Sequence, residues 1–357
     1  MIYQHQEFSI EMNLDIISIH TFRISETINT HAELILGGIC LDSDDMELEK
    51  QNIIVRGNED GILFFGVLDK VELKRDNELL SFQLNAHSLS YNMDRNKRKR
   101  VFQDLNMTYE QIIEEVLQPY QSSSFIDKVT NGMKIPHSIL QFNETDWEFL
   151  KRLASHYNTG LCVDCKGSSI QIFFGIRDRA DTPLEGEILS SEINLMKKKE
   201  LIKLRTDSPT NAGSQVAYKG KIYLIESTEL YMKKGALVYQ SLLMRTEDVL
   251  FPFIPNSNIA GMHIWAWVRQ IQRNKLRIQY QIEDKAQGNT PFLPFAGEEN
   301  NESGYYMPEH GNEVEVTFPD SEEERMKCAV QHWHCQGSNF YQKVLRVYQI
   351  FKVPGNS

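Results

Sequence analysis

The sequence predicts a mainly β protein interrupted by an α+β insert, and three observations carry that reading. Apolar and polar residues alternate with period two in several stretches, as in strands with one buried face. Two stretches near the middle switch to helical spacing behind capping sequences. The length of 357 residues exceeds one ordinary core, so two to four domains of roughly 100 residues are expected.

The elements follow in order. Leu80, Phe82, Leu84 and Ala86 alternate with Ser81, Gln83, Asn85 and His87, a half-buried strand. Val71 and Leu73 alternate with Lys70, Glu72 and Lys74, and Arg75-Asp76-Asn77-Glu78 reads as the polar turn joining both runs into a hairpin. His31 to Leu41 supplies a further strand of the same sheet or barrel. Thr108 and Gln111 fit a capping box ahead of the stripe Tyr109, Ile112, Ile113, Val116 and Leu117, which Pro119 ends. Thr145 and Glu148 repeat the box. Behind them Phe149, Leu150, Leu153, Ala154 and Tyr157 line one face, with Trp147 at its margin and Gly160 as the stop. Residues 161–175 read as another hairpin. Residues 220–228 and 236–245 read as strands separated by 231–235. Further on, Leu276, Ile278, Tyr280 and Ile282 mark one strand, and Val314, Val316 and Phe318 another. A polar, exposed loop at 285–304 lies between them, and short strands with long loops suit an OB-like barrel. The expected divisions are β at 1–93, α+β at 94–175, β at 176–255, a small barrel at 256–340 and a tail at 341–357.

A net charge of −11 argues against a primary nucleic-acid binder, which needs cations to replace phosphate counterions. The local exception is Arg95, Lys97, Arg98, Lys99 and Arg100. Its plain reading is a solvated loop after a strand, its sharper one a loop that docks on an acidic partner. No apolar run approaches the ~18 residues of a membrane helix. The first fifteen residues lack a basic region followed by an apolar one, so synthesis in the cytoplasm without a signal peptide is expected.

Five cysteines make no disulfide framework. Cys162 and Cys165 form a C-x-x-C inside a predicted strand, where a separation of three puts side chains on opposite faces, so a reduced structural role is expected. His310 and Glu313, next to Glu309, form H-x-x-E on a glycine-containing turn, without helical spacing or a third ligand. The sequence holds no HExxH, G-x-S-x-G or P-loop pattern, and no catalytic residue, cofactor or enzymatic activity is expected. His332 and His334 share a strand face with Cys328 and Val330 and are the one metal candidate. Their plain reading is surface or interface histidines.

The run Gln141-Phe-Asn-Glu144-Thr145-Asp146-Trp147-Glu148-Phe149-Leu150-Lys-Arg152-Leu153-Ala154 resembles the signature of the phage late-control protein D and VgrG family of baseplate hubs. Residues 64–94, 100–117 and 304–320 are similar to further family segments in the same order, so the resemblance covers roughly residues 5–336. Asn312 stands where the family's OB segment has Asp. The resemblance implies two similar β-barrels per chain, an OB-fold barrel at 256–340 and a homotrimer presenting six barrels to the tail tube. Implied partners are the tail tube protein, a spike or spike-tip protein and baseplate wedge proteins, in a virion, injection particle or secretion apparatus. A VgrG continues into a repetitive β-helix. No repeat follows Gly337, so the spike is expected on a separate polypeptide or in sequence beyond Ser357. The alternatives are a carrier or effector-loading hub of a type VI-like system, a cell-wall hydrolase component, or a carbohydrate- or nucleic-acid-binding OB protein. The absence of a basic groove with aromatic platforms counts against the last.

Overall fold

The structure, a computed structural model, describes residues 2–41, 51–58, 61–76, 79–180, 183–194, 199–206, 208–282, 288–296 and 307–329. The chain divides into two compact units. One comprises Met1–Met262, Ile282–Pro291 and Phe318–Arg325; the other comprises His263–Gln281, Phe292–Thr317 and Met326–Ser357.

The first unit opens with β1 (Ile2–Gln4), β2 (Phe8–Glu11), β3 (Ile16–Thr27), β4 (Glu33–Leu41), β5 (Asn52–Gly57), β6 (Gly61–Asp76) and β7 (Leu79–Ser88). The insert follows as β8 (Lys97–Phe102), α1 (Tyr109–Leu117), β9 (Ser124–Asp127), β10 (Ile139–Thr145), α2 (Asp146–His156), β11 (Leu161–Asp164) and β12 (Gln171–Phe174). Then come β13 (Gly186–Asn194), β14 (Lys199–Thr206), β15 (Gln215–Tyr218), β16 (Lys221–Lys233) and β17 (Ala236–Arg245). The second unit carries β18 (His263–Gln272), β19 (Lys275–Tyr280), β20 (Phe292–Pro294), β21 (Glu313–Thr317) and β22 (Lys327–Ala329).

A twelve-stranded sheet runs β1-β2-β5-β6-β7-β4-β3-β16-β17-β14-β13, with β15 also paired to β16. Two halves of this sheet repeat one plan. In the first, β3 pairs β4, β4 pairs β7, β7 pairs β6 and β6 pairs β5. In the second, β13 pairs β14, β14 pairs β17, β17 pairs β16 and β16 pairs β15. The correspondence extends to register. The β6–β7 hairpin joins Asp76 to Leu79 and slips between Leu68 and Lys70; the β16–β17 hairpin joins Lys233 to Ala236 and slips between Ile225 and Ser227. The buried residues correspond as well, Leu34 with Ile202, Leu36 with Leu204, Ala86 with Leu243 and Ile53 with Val216. The chain is therefore mainly β with an α+β insert and two similar β halves. The halves meet where Arg23–Thr27 of β3 pairs with Ser227–Tyr231 of β16.

Both helices form for the reasons the sequence implies. Thr108 and Thr145 each accept a bond from the N–H of the third helical residue, and the side chains of Gln111 and Glu148 accept one from the cap N–H. Tyr109, Ile112, Ile113, Val116 and Leu117 are buried, as are Phe149, Leu150, Leu153 and Ala154. Burial on this scale, about 1.5–3 kcal/mol for each large side chain, holds two helices too short to persist alone. The apolar side chains of β2 to β7 and of both helices form one core, while Ile202, Leu204, Val216, Tyr218, Tyr223, Ile225 and Leu243 form that of the second half.

Several expectations need correction. Residues 231–233 belong to β16, and only Lys234 and Gly235, both with positive φ, make the turn; such a pair matches the twist of a two-residue hairpin. Arg75 and Asp76 likewise lie within β6. Helix α2 ends at His156 with Tyr157 as its C-cap, and the left-handed residue that follows is Asn158, ahead of Gly160. Gly160 is needed for space, since a Cβ there would lie 2.6 Å from Ile28 Cγ2. Trp147 is buried at 2 % exposure, not marginal. The second unit is a five-stranded antiparallel sheet, β20-β19-β18-β21-β22. Its β20 falls inside the expected loop, and Ile282 lies beyond β19.

Candidate functional site

The signature run forms a buried polar lock at the junction of β10 and α2. In a regular strand Gln141 and Glu144 would face opposite sides. A register shift between Phe142 and Glu144 places the bulged Asn143 at φ 53°, a conformation Asn tolerates, so both acidic and amide side chains turn inward. Glu144 then accepts two bonds from Arg152, from Nε at 2.8 Å and from Nη2 at 3.0 Å. Arg152 also donates to the Leu140 carbonyl and to Glu323 Oε1 at 3.1 Å. Glu323 accepts in addition from Leu140 N at 3.1 Å and from Asn256 Nδ2 at 3.2 Å. Arg152 is 1 % exposed. Burial works against its charge, but Glu323 and Glu144 outweigh it and hold the guanidinium above its usual value.

A second ring of bonds surrounds Asp146, which is fully buried. It accepts from Arg100, from Gln141 Nε2 at 2.8 Å and from Tyr120 Oη at 2.7 Å. Gln141 accepts in turn from Arg100 at 2.7 Å. Thr145 caps the helix and also donates to Asp94. Asp94 accepts from the His31 imidazole at 2.9 Å, and Trp147 packs on that ring at 4.4 Å. Burial pushes the Asp94 carboxyl up, and the bonds from His31 and Thr145 more than reverse the shift. Phe149 stacks on Phe102, and Leu150 and Leu153 are fully buried. Gln141, Glu144, Thr145, Asp146, Trp147, Phe149, Leu150, Arg152 and Leu153 thus pack or bond inside the lock, and its arginines are matched by carboxylates.

The basic run is a strand, not the expected loop: Lys97–Arg100 lie in β8, paired with β10. Arg98 and Arg100 turn inward toward Asp146, whereas Arg95, Lys97 and Lys99 are exposed. Cys162 and Cys165 are free, buried and in different apolar clusters. Burial pushes the Cys162 thiol up to about 12 and Cys165 well above its usual value. His310 is exposed on the turn before β21, and Glu309 N donates to Asn312 in that turn. Among the described residues no group of three His, Cys, Asp or Glu side chains is placed to hold a metal. His332 and His334 lie outside the described residues. No described helix is long and apolar enough to cross a membrane.

Beyond the lock, the sheet offers edges. Strand β13 ends the sheet path and is exposed from Glu187 to Ile193 on both faces. Ile188, Leu189 and Ile193 are exposed there, as are Leu73 and Leu79 near the β6–β7 turn. Such edges template pairing with another chain unless covered.

Residues 46–182, which hold most of the lock, match the profile of the phage tail baseplate hub (GPD) family. Over this segment the chain is similar to the baseplate hub family. A search of the curated proteins finds no relative of the sequence. Among solved structures, the chain is similar to an E. coli component of the type VI secretion system, described as similar to the T4 bacteriophage tail proteins gp27 and gp5. The identity is 14%, the TM-score 0.68, and the match covers 90% of this chain and 99% of that one. The 43 kDa tail protein of prophage MuSo2 from Shewanella oneidensis matches at 12% identity and TM-score 0.55, over 69% of this chain and 98% of that one. A chain of the Francisella PdpA–VgrG complex matches at 10% identity and TM-score 0.57, over 94% and 80%. These likenesses establish the hub fold.

Sequence reasoning missed several members of the lock. Asn143 sits inside the signature without a visible role, and a polar residue that tolerates positive φ between Gln141 and Glu144 was its only signal. Glu323 and Asn256 reach the lock from far along the chain, and nothing local marks them.

Proposed function

We propose that this chain is the structural hub of a contractile injection machine or phage tail baseplate, a homotrimer joining a sixfold tail tube to a threefold spike. The observation that carries the reading is the repeated five-strand plan of β3–β7 and β13–β17. Three copies of a chain with two such halves offer six equivalent backbones to a tube, while the side chains repeat three times. Its work is mechanical and not enzymatic: it closes the tube end and travels with the spike. The partners are the tube protein, a spike or spike-tip protein and baseplate wedge proteins, with Arg95, Lys97 and Lys99 as a docking patch for an acidic surface. The chain is made in the cytoplasm and assembled into a tail-like particle. The signature residues act structurally, by fixing α2 and the insert against the first half. Residues 1–93 and 176–255 are the two hub barrels, and 256–340 the OB-type domain.

A type VI carrier hub is the second reading, supported by the near-complete coverage of the E. coli secretion component. Light scattering on the purified protein tests the trimer. A particle near three times 41.4 kDa is expected. A monomer at every concentration would overturn the reading.

A further inference from the structure

The junction between the two halves supplies a template for a junction between copies. Within one chain, the first strand of the first half, β3, pairs with the outer edge of the fourth strand of the second half, β16. Strand β16 can accept it because β15 covers only Lys221–Leu224, which leaves Ser227–Tyr231 open. The first half has the same arrangement. Strand β5 covers β6 only from Gly61 to Val67, and among the described residues no strand pairs with the outer edge of Lys70–Lys74. Even the bond that ends the short strand is repeated: Leu68 N donates to Gln51 O as Ile225 N donates to Ser214 O. At the other end of the sheet, β13 holds the place in its half that β3 holds in the first, and its outer edge is open.

We infer that Lys70–Lys74 of β6 pairs antiparallel with Ser190–Asn194 of β13 in a second copy of this chain. The register follows from the ladders. Ala86 pairs Leu34, and Leu34 pairs Ile24; Leu243 pairs Ile202, and Ile202 pairs Ser191. Ser191 is therefore the counterpart of Ile24, and by the hairpin register Leu73 is the counterpart of Leu230. Leu230 faces Ile24 and Thr228 faces Glu26 inside the chain, all four buried. Between copies, Leu73 faces Ser191 and Val71 faces Ile193.

The side chains fit this occupant. Leu73 is 39 % and Ile193 59 % exposed in the single chain, at positions whose counterparts are buried. On the opposite face Glu192 stands across from Glu72, which is already engaged by Lys70 at 2.7 Å. Glu192 lies diagonal to Lys70 and Lys74, within reach of both. Each copy gives one edge and receives on another, so the contact is head-to-tail, and in the homotrimeric hub it closes as a ring. Three such junctions would alternate with the three built into the chains.

The inference rests on the homotrimeric hub reading, and the test separates the two. The full chain carries Val71→Cys and Ile193→Cys, with Cys335→Ser in every variant; the native Cys40, Cys162, Cys165 and Cys328 are buried. Oxidation or a short bis-maleimide is expected to link copies up to a closed three-chain species. The control pair Val71→Cys with Glu192→Cys places the thiols on opposite faces and is expected to yield about tenfold less product. Each single variant is expected to stay unlinked. Equal linking by the control pair would overturn the register. A trimer in light scattering that never links through 71 and 193 would overturn the pairing and leave the hub reading standing. A monomer would overturn both.

Discussion

Arg152 is the residue on which the lock depends, and its replacement gives the most informative perturbation. Arg152→Met keeps the length of the side chain and removes the cation between Glu144 and Glu323, 6 % and 5 % exposed. The loss is more than that of its bonds, because two buried carboxylates are left without a counter-charge. Removing one partner of a buried ion pair costs about 3–5 kcal/mol. In a unit of this size each kcal/mol moves the melting temperature by about 2–4 °C, so a drop of about 10 °C is expected. Thermal unfolding followed by circular dichroism reads it. The triple variant Arg152→Met, Glu144→Gln, Glu323→Gln is expected to recover most of the loss. Glutamine can still accept the bonds from Leu140 N and Asn256 Nδ2, and no buried charge is left at positions 144, 152 and 323. Acid gives a second readout. Burial pushes the Glu144 carboxyl up, ahead of the opposing pull of Arg152. Without Arg152 it rises further. A carboxyl raised on folding adds stability at low pH and loses it as pH rises through its folded value, so the deficit is expected to shrink on acidification. A single variant that melts within about 2 °C of the parent, or a triple variant no better than the single, would refute the account.

Three further outcomes follow from other sites. Burial, reinforced by the Arg152 cation, holds the His156 pKa at about 4 from its ordinary 6.5. Only the unfolded chain binds that proton between these values, so stability falls as pH drops through the window, by about 2–3 kcal/mol after allowance for partial exposure. His156→Phe, which keeps a ring against Phe253, is expected to lose less stability in urea titrations between pH 7 and pH 4 than the parent. Gly213 has φ 82°, and a Cβ there would lie 2.1 Å from Cys162 Sγ. Gly213→Ala is expected to cost about 1–3 kcal/mol, partly recovered by adding Cys162→Ala, as measured by denaturation midpoints. Thr145→Ala removes both the α2 cap and the bond to Asp94, with an expected cost of about 1–2 kcal/mol in the same assay.

What the sequence revealed and what it hid divide along physical lines. The capping boxes at Thr108 and Thr145 were legible because their partners lie three residues apart. The strand at 79–88 was legible because its burial alternates without a break. Pairing partners are another matter. The likeness of the two halves resides in register and bulge position, which backbone bonds determine, and few aligned residues are identical: Leu36 matches Leu204, Glu72 matches Glu229, Leu73 matches Leu230, Leu80 matches Leu237 and Gln83 matches Gln240. The signature run was recognisable as a unit, yet its logic needs Asn143 to bend the strand and Glu323 to complete the charge. The basic run looked like a solvated loop because charge density carries no information about direction. Two of its five cations, Arg98 and Arg100, point inward, to a carboxylate 46 residues from Arg100.

The distance along the chain between Arg152 and Glu323, 171 residues, bears on how the protein is made. At about 5–20 residues per second, a ribosome exposes Arg152 for on the order of ten seconds or more before its second carboxylate exists. During that interval α2 has Glu144 alone, and the nascent insert holds a half-compensated cation. The final latch closes only when translation has passed Glu323, so a chain released early lacks the group that completes its interior and is left for chaperones and proteases to find.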